Sequence, residues 1–251
     1  MSNIPTITWR ELKAYFFGPI AYILFFVFYV GNAIWVGSLV SWYSDAGTHG
    51  QGIEFPMAAV FDLWFLIWMV VLAPVLTMRL FAEERRSGTM EILMTAPVTD
   101  TEVTLGKYLA ALIVYIVMLI PTLAYVVVLQ WVADRPLDLG PVFGTYLGAI
   151  LLGMLFLAMG TFASSLTRNQ VIAAVVGVLL TLTMLAAVFL QGLFKPESVG
   201  SQVLGYFSVL RHLQADFGRG LVDTRRLIFY LSGTAFFLFF TVRMVEARKW
   251  R

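Results

Sequence analysis

Long apolar runs dominate the chain, and polar residues cluster in the short stretches between them. A helix needs about 20 mainly apolar residues to cross roughly 30 Å of hydrocarbon, whereas barrel strands alternate over about ten residues. These runs stay apolar on all sides, which favours helices. The pattern predicts an all-α polytopic membrane protein with six transmembrane helices, at 17–40, 60–80, 105–132, 143–166, 171–194 and 227–245.

Composition supports a membrane protein and excludes several other classes. Of the 251 residues, 60% are hydrophobic and 13% are charged, too apolar a balance for one soluble core. The absence of cysteine excludes disulfides and thiolate metal sites, and a net charge of +2 gives no nucleic-acid footprint. No Ser-His-Asp or HExxH pattern and no phosphate-binding G-x-x-x-x-G-K-[ST] loop is present. We therefore predict no catalytic residues, no metal site and no nucleic-acid partner.

Basic residues predict the orientation. With the N-terminus inside, eleven of the 17 Lys and Arg face the cytoplasm and six lie outside, and the stretch 41–59 has none. Both termini are thus predicted to be cytoplasmic. The segment 195–226 fits less well, because five basic residues fall on the predicted external side. Its apolar residues have helical spacing, so we predict amphipathic or re-entrant helices there.

Residues 1–16 predict a short amphipathic helix on the inner membrane face. Arg10 and Lys13 would face headgroups or water. The side chains expected to face lipid are Ile7, Leu12, Tyr15 and Phe16. The alternative is that this stretch is simply the helical start of the first span.

The cytoplasmic loop between spans two and three, at 81–104, carries the most local order. Ser87 and Gly88 interrupt a charged run, Pro97 stops a helix, and Thr99 with Glu102 has the spacing of a capping box. This pattern predicts a short helix, a break, and a new helix with a fixed starting angle. Such a helix could press against a soluble partner, or its charges could simply solvate the membrane edge.

The loop resembles that of the ABC-2 family of ABC transporter permeases. The residues that carry the resemblance are Glu83, Glu84, Arg85, Ser87, Gly88, Thr89, Glu91, Leu93, Pro97, Val98, Leu105, Gly106 and Lys107. The six-span layout extends it over most of the chain as a single permease domain, 1–251. Together with the tail, the loop looks closest to the permease subgroup associated with bacterial gliding motility.

This resemblance implies a coupling segment that docks on a separate cytosolic ABC ATPase, which binds the ATP and Mg²⁺, while this chain binds no cofactor. The implied ATPase-coupling residues are Glu83, Glu84, Arg85, Ser87, Gly88, Thr89, Met90, Glu91 and Leu93. The implied helix-start turn comprises Pro97, Thr99, Glu102, Gly106 and Lys107.

The same resemblance implies a permease in the bacterial inner membrane that pairs with itself or a related subunit and exports a substrate. The alternative function is ATPase-coupled mechanical signalling to a periplasmic or motility apparatus, through a membrane protein with a large periplasmic domain. An intramembrane enzyme is disfavoured, because no paired catalytic groups lie at span depth.

Three residues near or within the spans are candidates for a conduit or hinge. Asp62 is predicted one turn into span two, where a carboxylate is costly, although near the interface it could reach water. Pro74 and Pro121 each remove a backbone hydrogen bond, and they flank the coupling loop. Each proline could be a pivot or a static bend.

Overall fold

The computed structural model describes residues 3–44, 56–88, 98–133, 138–191, 194 and 198–247, and the regular structure of these residues is entirely helical. Two 3₁₀ turns, Ile120–Leu123 and Phe217–Arg219, and a π turn, His212–Asp216, interrupt the α-helices. We number the α-helices as follows: α1 Ile4–Phe17, α2 Pro19–Ser44, α3 Pro56–Val60, α4 Leu63–Thr77, α5 Arg79–Ser87, α6 Asp100–Leu119, α7 Ala124–Ala133, α8 Leu139–Leu166, α9 Gln170–Gln191, α10 Val199–Phe207, α11 Val209–Arg211 and α12 Thr224–Glu246.

Six stretches of the described residues are long and apolar enough to span a membrane, which confirms the predicted all-α, six-span fold. They are Pro19–Trp42, Leu63–Ser87, Asp100–Trp131, Leu139–Leu166, Gln170–Gln191 and Thr224–Glu246. Span two differs most from the prediction, because its helix continues through α5 instead of ending at Leu80. Six crossings place α1 and the end of α12 on one side of the membrane, which we call the α1 side.

Helices α4 and α8 form the centre of the bundle. Two-thirds of each span is buried, compared with about a quarter for α2, α9 and α12. Small residues let the helices approach closely. At Gly153 of α8, a Cβ atom would overlap the ring of Tyr115, whose hydroxyl donates to the carbonyl of Ala149 at 2.7 Å. The outer helices expose many of their apolar side chains, as expected for helices that contact lipid.

Both span prolines coincide with altered helix geometry. Pro74 cannot donate to the carbonyl of Val70, and the hydroxyl of Thr181 in α9 lies 3.1 Å from that carbonyl oxygen. The same hydroxyl is also 3.1 Å from the carbonyl oxygens of Gly177 and Val178 in its own helix, so the donor is shared. Gly177 of α9 provides the space, since a Cβ there would lie 2.8 Å from Cβ of Pro74. Pro121 lies in the 3₁₀ turn between α6 and α7. The carbonyl that loses its helical donor at Pro74 is thus reached by a hydroxyl of a neighbouring helix.

Helix α1 is separate from α2, as predicted, because Gly18 adopts an extended conformation between them. The predicted lipid-facing side was wrong. Ile7 and Tyr15 are buried against the protein, whereas Trp9 and Phe17 are exposed. The packing partner of Ile7 is a glycine of α6, which a hydrophobicity pattern cannot distinguish from lipid.

The segment after α9 is helical, as predicted for 195–226, over its described residues. It folds back onto α8, where Gly144 and Gly148 leave room for Phe217. Arg226 donates to Asp216 at 2.8 Å instead of reaching the membrane interface alone. The GxxxG motif of α8 therefore accommodates this segment of the same chain.

Candidate coupling site

The N-terminal helix α1 lies across the first turns of α6. Gly106 makes this contact possible, since a Cβ there would lie 2.8 Å from Cγ2 of Ile7. The hydroxyl of Thr8 donates to the carbonyl of Gly106 at 3.1 Å. This buried hydrogen bond takes the place of one that the hydroxyl could make with water. Gly106, predicted as part of the helix-start turn, is therefore the site where α1 docks.

The start of α6 is fixed by a capping box, as predicted. The amide of Glu102 donates to Oγ1 of Thr99 at 3.2 Å, and the amide of Thr99 donates to Oε2 of Glu102 at 3.1 Å. The other carboxylate oxygen of Glu102 accepts from the amide of Asn3 at 3.0 Å. One side chain thus caps α6 and also ties it to the start of α1.

A ring of four charges joins α1, α5 and α6. The ammonium of Lys107 donates to Oε1 of Glu84 at 2.7 Å and to Oε1 of Glu11 at 2.9 Å. Arg10 donates through Nη2 to the same two oxygens, at 3.2 Å and 2.9 Å. Positive and negative groups therefore alternate around a closed ring, with Lys107 on its inner side and Arg10 on its outer side.

Burial makes this ring energetically important. The side chain of Lys107 is 1% exposed, so its charge has lost its water and depends on the two carboxylates. Burial opposes ionisation of Glu11, but Lys107 and Arg10 outweigh this effect and lower the pKa of Glu11 below its usual value. A polar cavity of about 280 Å³ adjoins the ring and is also lined by Arg79.

The two faces of α5 differ in exposure. The side chain of Glu83 is 52% exposed and pairs with Arg79 at 3.4 Å, whereas that of Glu84 is 17% exposed and belongs to the ring. Ser87 and Gly88 are exposed, and Gly88 ends the helix in the left-handed region at φ 74°, which confirms the predicted break. The remaining predicted coupling and helix-start residues, Thr89, Met90, Glu91, Leu93 and Pro97, lie outside the described residues.

The junction of α4 and α5 has a side chain inserted into the helix ladder. The hydroxyl of Ser164 in α8 accepts from the amides of Phe81 and Ala82, at 3.0 Å and 3.2 Å, and donates to the carbonyl of Met78 at 2.8 Å. Arg85 donates to the carbonyl of Ser165, the residue that follows Ser164 in α8. Insertion of this kind is a known cause of helix bending. The backbone hydrogen bonding is therefore interrupted at Met78, between α4 and α5, one turn after Pro74.

Asp62 and Pro121 are not brought to this site. Asp62 precedes α4 and caps it by accepting from the amide of Trp64 at 2.8 Å, at the end of span two opposite α5. The prediction that it lies inside the span was wrong, because the short helix α3 ends first and α4 begins at Leu63. Pro121 lies in the 3₁₀ turn after α6, away from the ring.

Three residues of the site were not identified from sequence. Arg10 was expected to face headgroups or water, and Glu11 and Ser164 were given no role. A charged residue such as Lys107, seven residues into a span helix, does signal that a carboxylate partner is needed. Its partners are 96 and 23 positions away, a separation that periodicity does not reveal.

Comparison with known proteins agrees with the resemblance of the loop. A family model described as "ABC-2 family transporter protein" matches residues 55–210, which is more than half of the chain and includes α5 and the start of α6. A comparison with curated protein sequences gives no match. Members of this family are membrane components of ABC transporters that associate with an ABC ATPase. The chain belongs to the ABC-2 transporter family, as a multi-pass membrane component of the permease type.

Proposed function

We propose that the chain is the permease subunit of an ATP-driven exporter of the bacterial inner membrane, with the α1 side in the cytoplasm. A separate cytosolic ATPase binds ATP and Mg²⁺ and docks on the coupling segment, which comprises Glu83 to Leu93. The family match supports the permease role, and the excess of basic residues on the α1 side supports the orientation. Two permease subunits, identical or related, pair around the path.

The observation that carries this proposal is the buried ring behind the coupling segment. Lys107 holds Glu84 of α5 and Glu11 of α1 with hydrogen bonds of 2.7 Å and 2.9 Å. A displacement of α5 by the ATPase that left α1 and α6 in place would separate a buried ammonium from its carboxylates, which is costly. Helices α1, α5 and the first turns of α6 therefore move as one unit.

The interruption of the helix at Met78 gives this unit a place to pivot against α4. At this point, the hydroxyl of Ser164 takes part in bonds that a regular helix makes within its own backbone. A change in the angle between α4 and α5 exchanges hydrogen bonds of the Ser164 hydroxyl and leaves both helices intact. Each such side-chain hydrogen bond is worth about 0.5–1.5 kcal/mol in membrane bundles.

The two glutamates of α5 have different proposed roles. Glu83 is half-exposed and pairs with Arg79 instead of joining the ring, so it contacts the ATPase. Glu84 is held by Lys107 and Arg10 inside the protein, so it anchors the segment. Substitutions of the two residues should consequently give different defects.

The experiment is purification of the tagged chain from its native membrane with its partners, followed by an ATPase assay. We expect a Walker-type ATPase to copurify with the unmodified chain. Glu83→Lys should release that ATPase from a folded permease, because it reverses an exposed charge. Glu84→Gln should keep the ATPase bound but alter its activity.

The matched control for this experiment is Arg168→Gln, which changes an exposed charge on the same side of the membrane. It should leave both binding and activity unchanged. If no ATPase copurifies under conditions that preserve the complex, this result would contradict the proposed function. Undiminished binding by Glu83→Lys would contradict the docking surface alone.

A further inference from the structure

An open groove of about 630 Å³ lies between the first turns of α6 and the last turns of α12, and none of the four residues of the charge ring lines it. Its volume falls within the range of ligand sites, about 300–1,000 Å³. Both helices end their membrane spans here, Asp100 starting one and Glu246 ending the other. The groove therefore lies at the level where hydrocarbon meets headgroups.

The groove has an apolar floor along one face of α12. Ala235, Leu238, Phe239 and Val242 follow one another at the spacing of a helix face, and Leu105 of α6 faces them. Phe239 is 54% exposed, so the floor is open to a ligand. Acyl chains match such a floor, since they are apolar and flexible.

Charged groups of both signs form the rim at the end of the spans. Arg243 lies with its guanidinium carbon 5.1 Å from the centre of the Phe239 ring and pairs with Glu246 at 2.7 Å. Asp100 lines the same end. Among the described residues, the rim therefore offers one positive and two negative groups. A headgroup with both a phosphate and an ammonium can pair with both signs.

We propose that this groove binds a zwitterionic aminophospholipid, with phosphatidylethanolamine as the probe. The phosphate pairs with Arg243, the ammonium with Glu246 and Asp100, and the acyl chains cover Leu238 and Phe239. This site would link the start of α6, and thus the coupling unit, to α12 through a bound lipid. The proposal does not depend on ATPase docking.

The test uses the purified full-length chain without its ATPase, stripped of lipid and titrated with phosphatidylethanolamine or phosphatidylglycerol of identical acyl chains. Native mass spectrometry counts the bound lipids. We expect the first phosphatidylethanolamine to bind at least about fivefold more tightly than the first phosphatidylglycerol, which corresponds to about one surface ion pair. Glu246→Gln should reduce this preference.

Two further variants test the location. Arg243→Gln should weaken the first phosphatidylethanolamine about fivefold by removing the phosphate partner. Ala235→Phe should block binding by filling the floor without altering charge, and Arg168→Gln is the control that should change nothing. Unfolding temperatures without lipid should match across the variants that are compared.

Three outcomes would overturn the proposal. Equal binding of the two lipids would show that the rim does not select a headgroup. Unchanged binding in both Arg243→Gln and Ala235→Phe would show that the retained lipids lie elsewhere around the bundle. A change of subunit number in Ala235→Phe, with unchanged lipid binding, would show that a second copy covers the groove. None of these outcomes affects the test of ATPase docking.

Discussion

The ammonium of Lys107 lies 2.7 Å from Oε1 of Glu84 while its side chain is 1% exposed. Glu84 belongs to α5, at the end of span two, and Lys107 belongs to the beginning of span three. The segment between them is the one proposed to receive the ATPase. Its two ends are therefore joined directly, through a largely buried charge pair that is screened less than an exposed one.

Lys107→Met should lower the free energy of unfolding in detergent by about 3 kcal/mol, because it leaves Glu11 and Glu84 close together with Arg10 as their remaining partner in the ring. Adding Glu84→Gln removes one of the carboxylates that would repel. We expect Lys107→Met to cost at least about 1 kcal/mol less in the Glu84→Gln background. Equal costs in both backgrounds would show that the two side chains are not energetically coupled.

Ser164→Ala should destabilise the junction of α4 and α5 by about 0.5–1.5 kcal/mol, since it removes the hydroxyl bonded to Met78, Phe81 and Ala82. The matched control is Ser165→Ala, whose hydroxyl donates to the carbonyl of Phe162 within its own helix. Chemical unfolding of both variants provides the measurement. A loss in Ser165→Ala as large as that in Ser164→Ala would argue against a special role of the inserted hydroxyl.

The hydroxyl of Thr181 should contribute more to stability when residue 74 is proline than when it is alanine. Thr181→Val removes the donor to the carbonyl of Val70, at a cost of about 0.5–1.5 kcal/mol. Pro74→Ala supplies a backbone amide that can take its place, so Thr181→Val should cost less in that background. Stability measurements on the two single variants and the double variant test this dependence. Thr183→Val, at an exposed position of α9, is the control.

Gly106→Ala should displace α1, because the added Cβ would lie 2.8 Å from Cγ2 of Ile7, and overpacking of this kind costs about 1–3 kcal/mol. Ile7→Ala in the same chain should recover part of that loss. Protease sensitivity of α1 reports the displacement directly. Gly37→Ala, where no atom lies within 4 Å of the new Cβ, should leave stability unchanged or slightly raised.

The docking of α1 should weaken in acid. The pKa of Glu11 is lowered in the folded protein, so its ionised form stabilises the fold above the pKa of the unfolded state, near 4.3. This stabilisation is lost as the pH falls from that value through the folded pKa. Protease sensitivity of α1 between about pH 5 and pH 3 should rise in the unmodified chain. A Glu11→Gln variant should start from a weaker contact and show a smaller rise, because the pKa of Glu102, which also ties α1 to α6, is lowered by its hydrogen bonds from the backbone of Asn3 and Thr99.

Sequence periodicity predicted the fold because lipid imposes a simple rule on span length. The six spans, the capping box of Thr99 and Glu102 and the helix end at Gly88 all follow from local pattern. The charge ring does not, because Glu11 and Lys107 meet across 96 positions. The burial of Ile7 against Gly106 was missed for a second reason. Lipid and protein are equally apolar neighbours, so the pattern of apolar residues does not distinguish them.

The site residues were predicted as a continuous segment. In the structure, those that are described differ in how far their side chains are exposed. Glu83 is 52% exposed and Glu84 is 17% exposed, although the two are adjacent and chemically alike. Only the orientation of α5 about its axis separates them, and that orientation depends on Lys107 and Ser164 in other helices. The relation to gliding-motility permeases and the direction of transport stay predictions.

The most direct test of the central claim is a disulfide between α1 and α6, measured by the ATPase activity of the purified complex. The chain has no cysteine, and an ideal Cβ at Gly106 lies 2.9 Å from Cβ of Ile7, so Ile7→Cys with Gly106→Cys can form a bond after a small adjustment. If α1, α5 and the start of α6 move as one unit, the oxidised complex should keep the ATPase activity of the reduced complex. Loss of activity on oxidation, restored by reduction, would show that α1 must separate from α6 and would contradict the account.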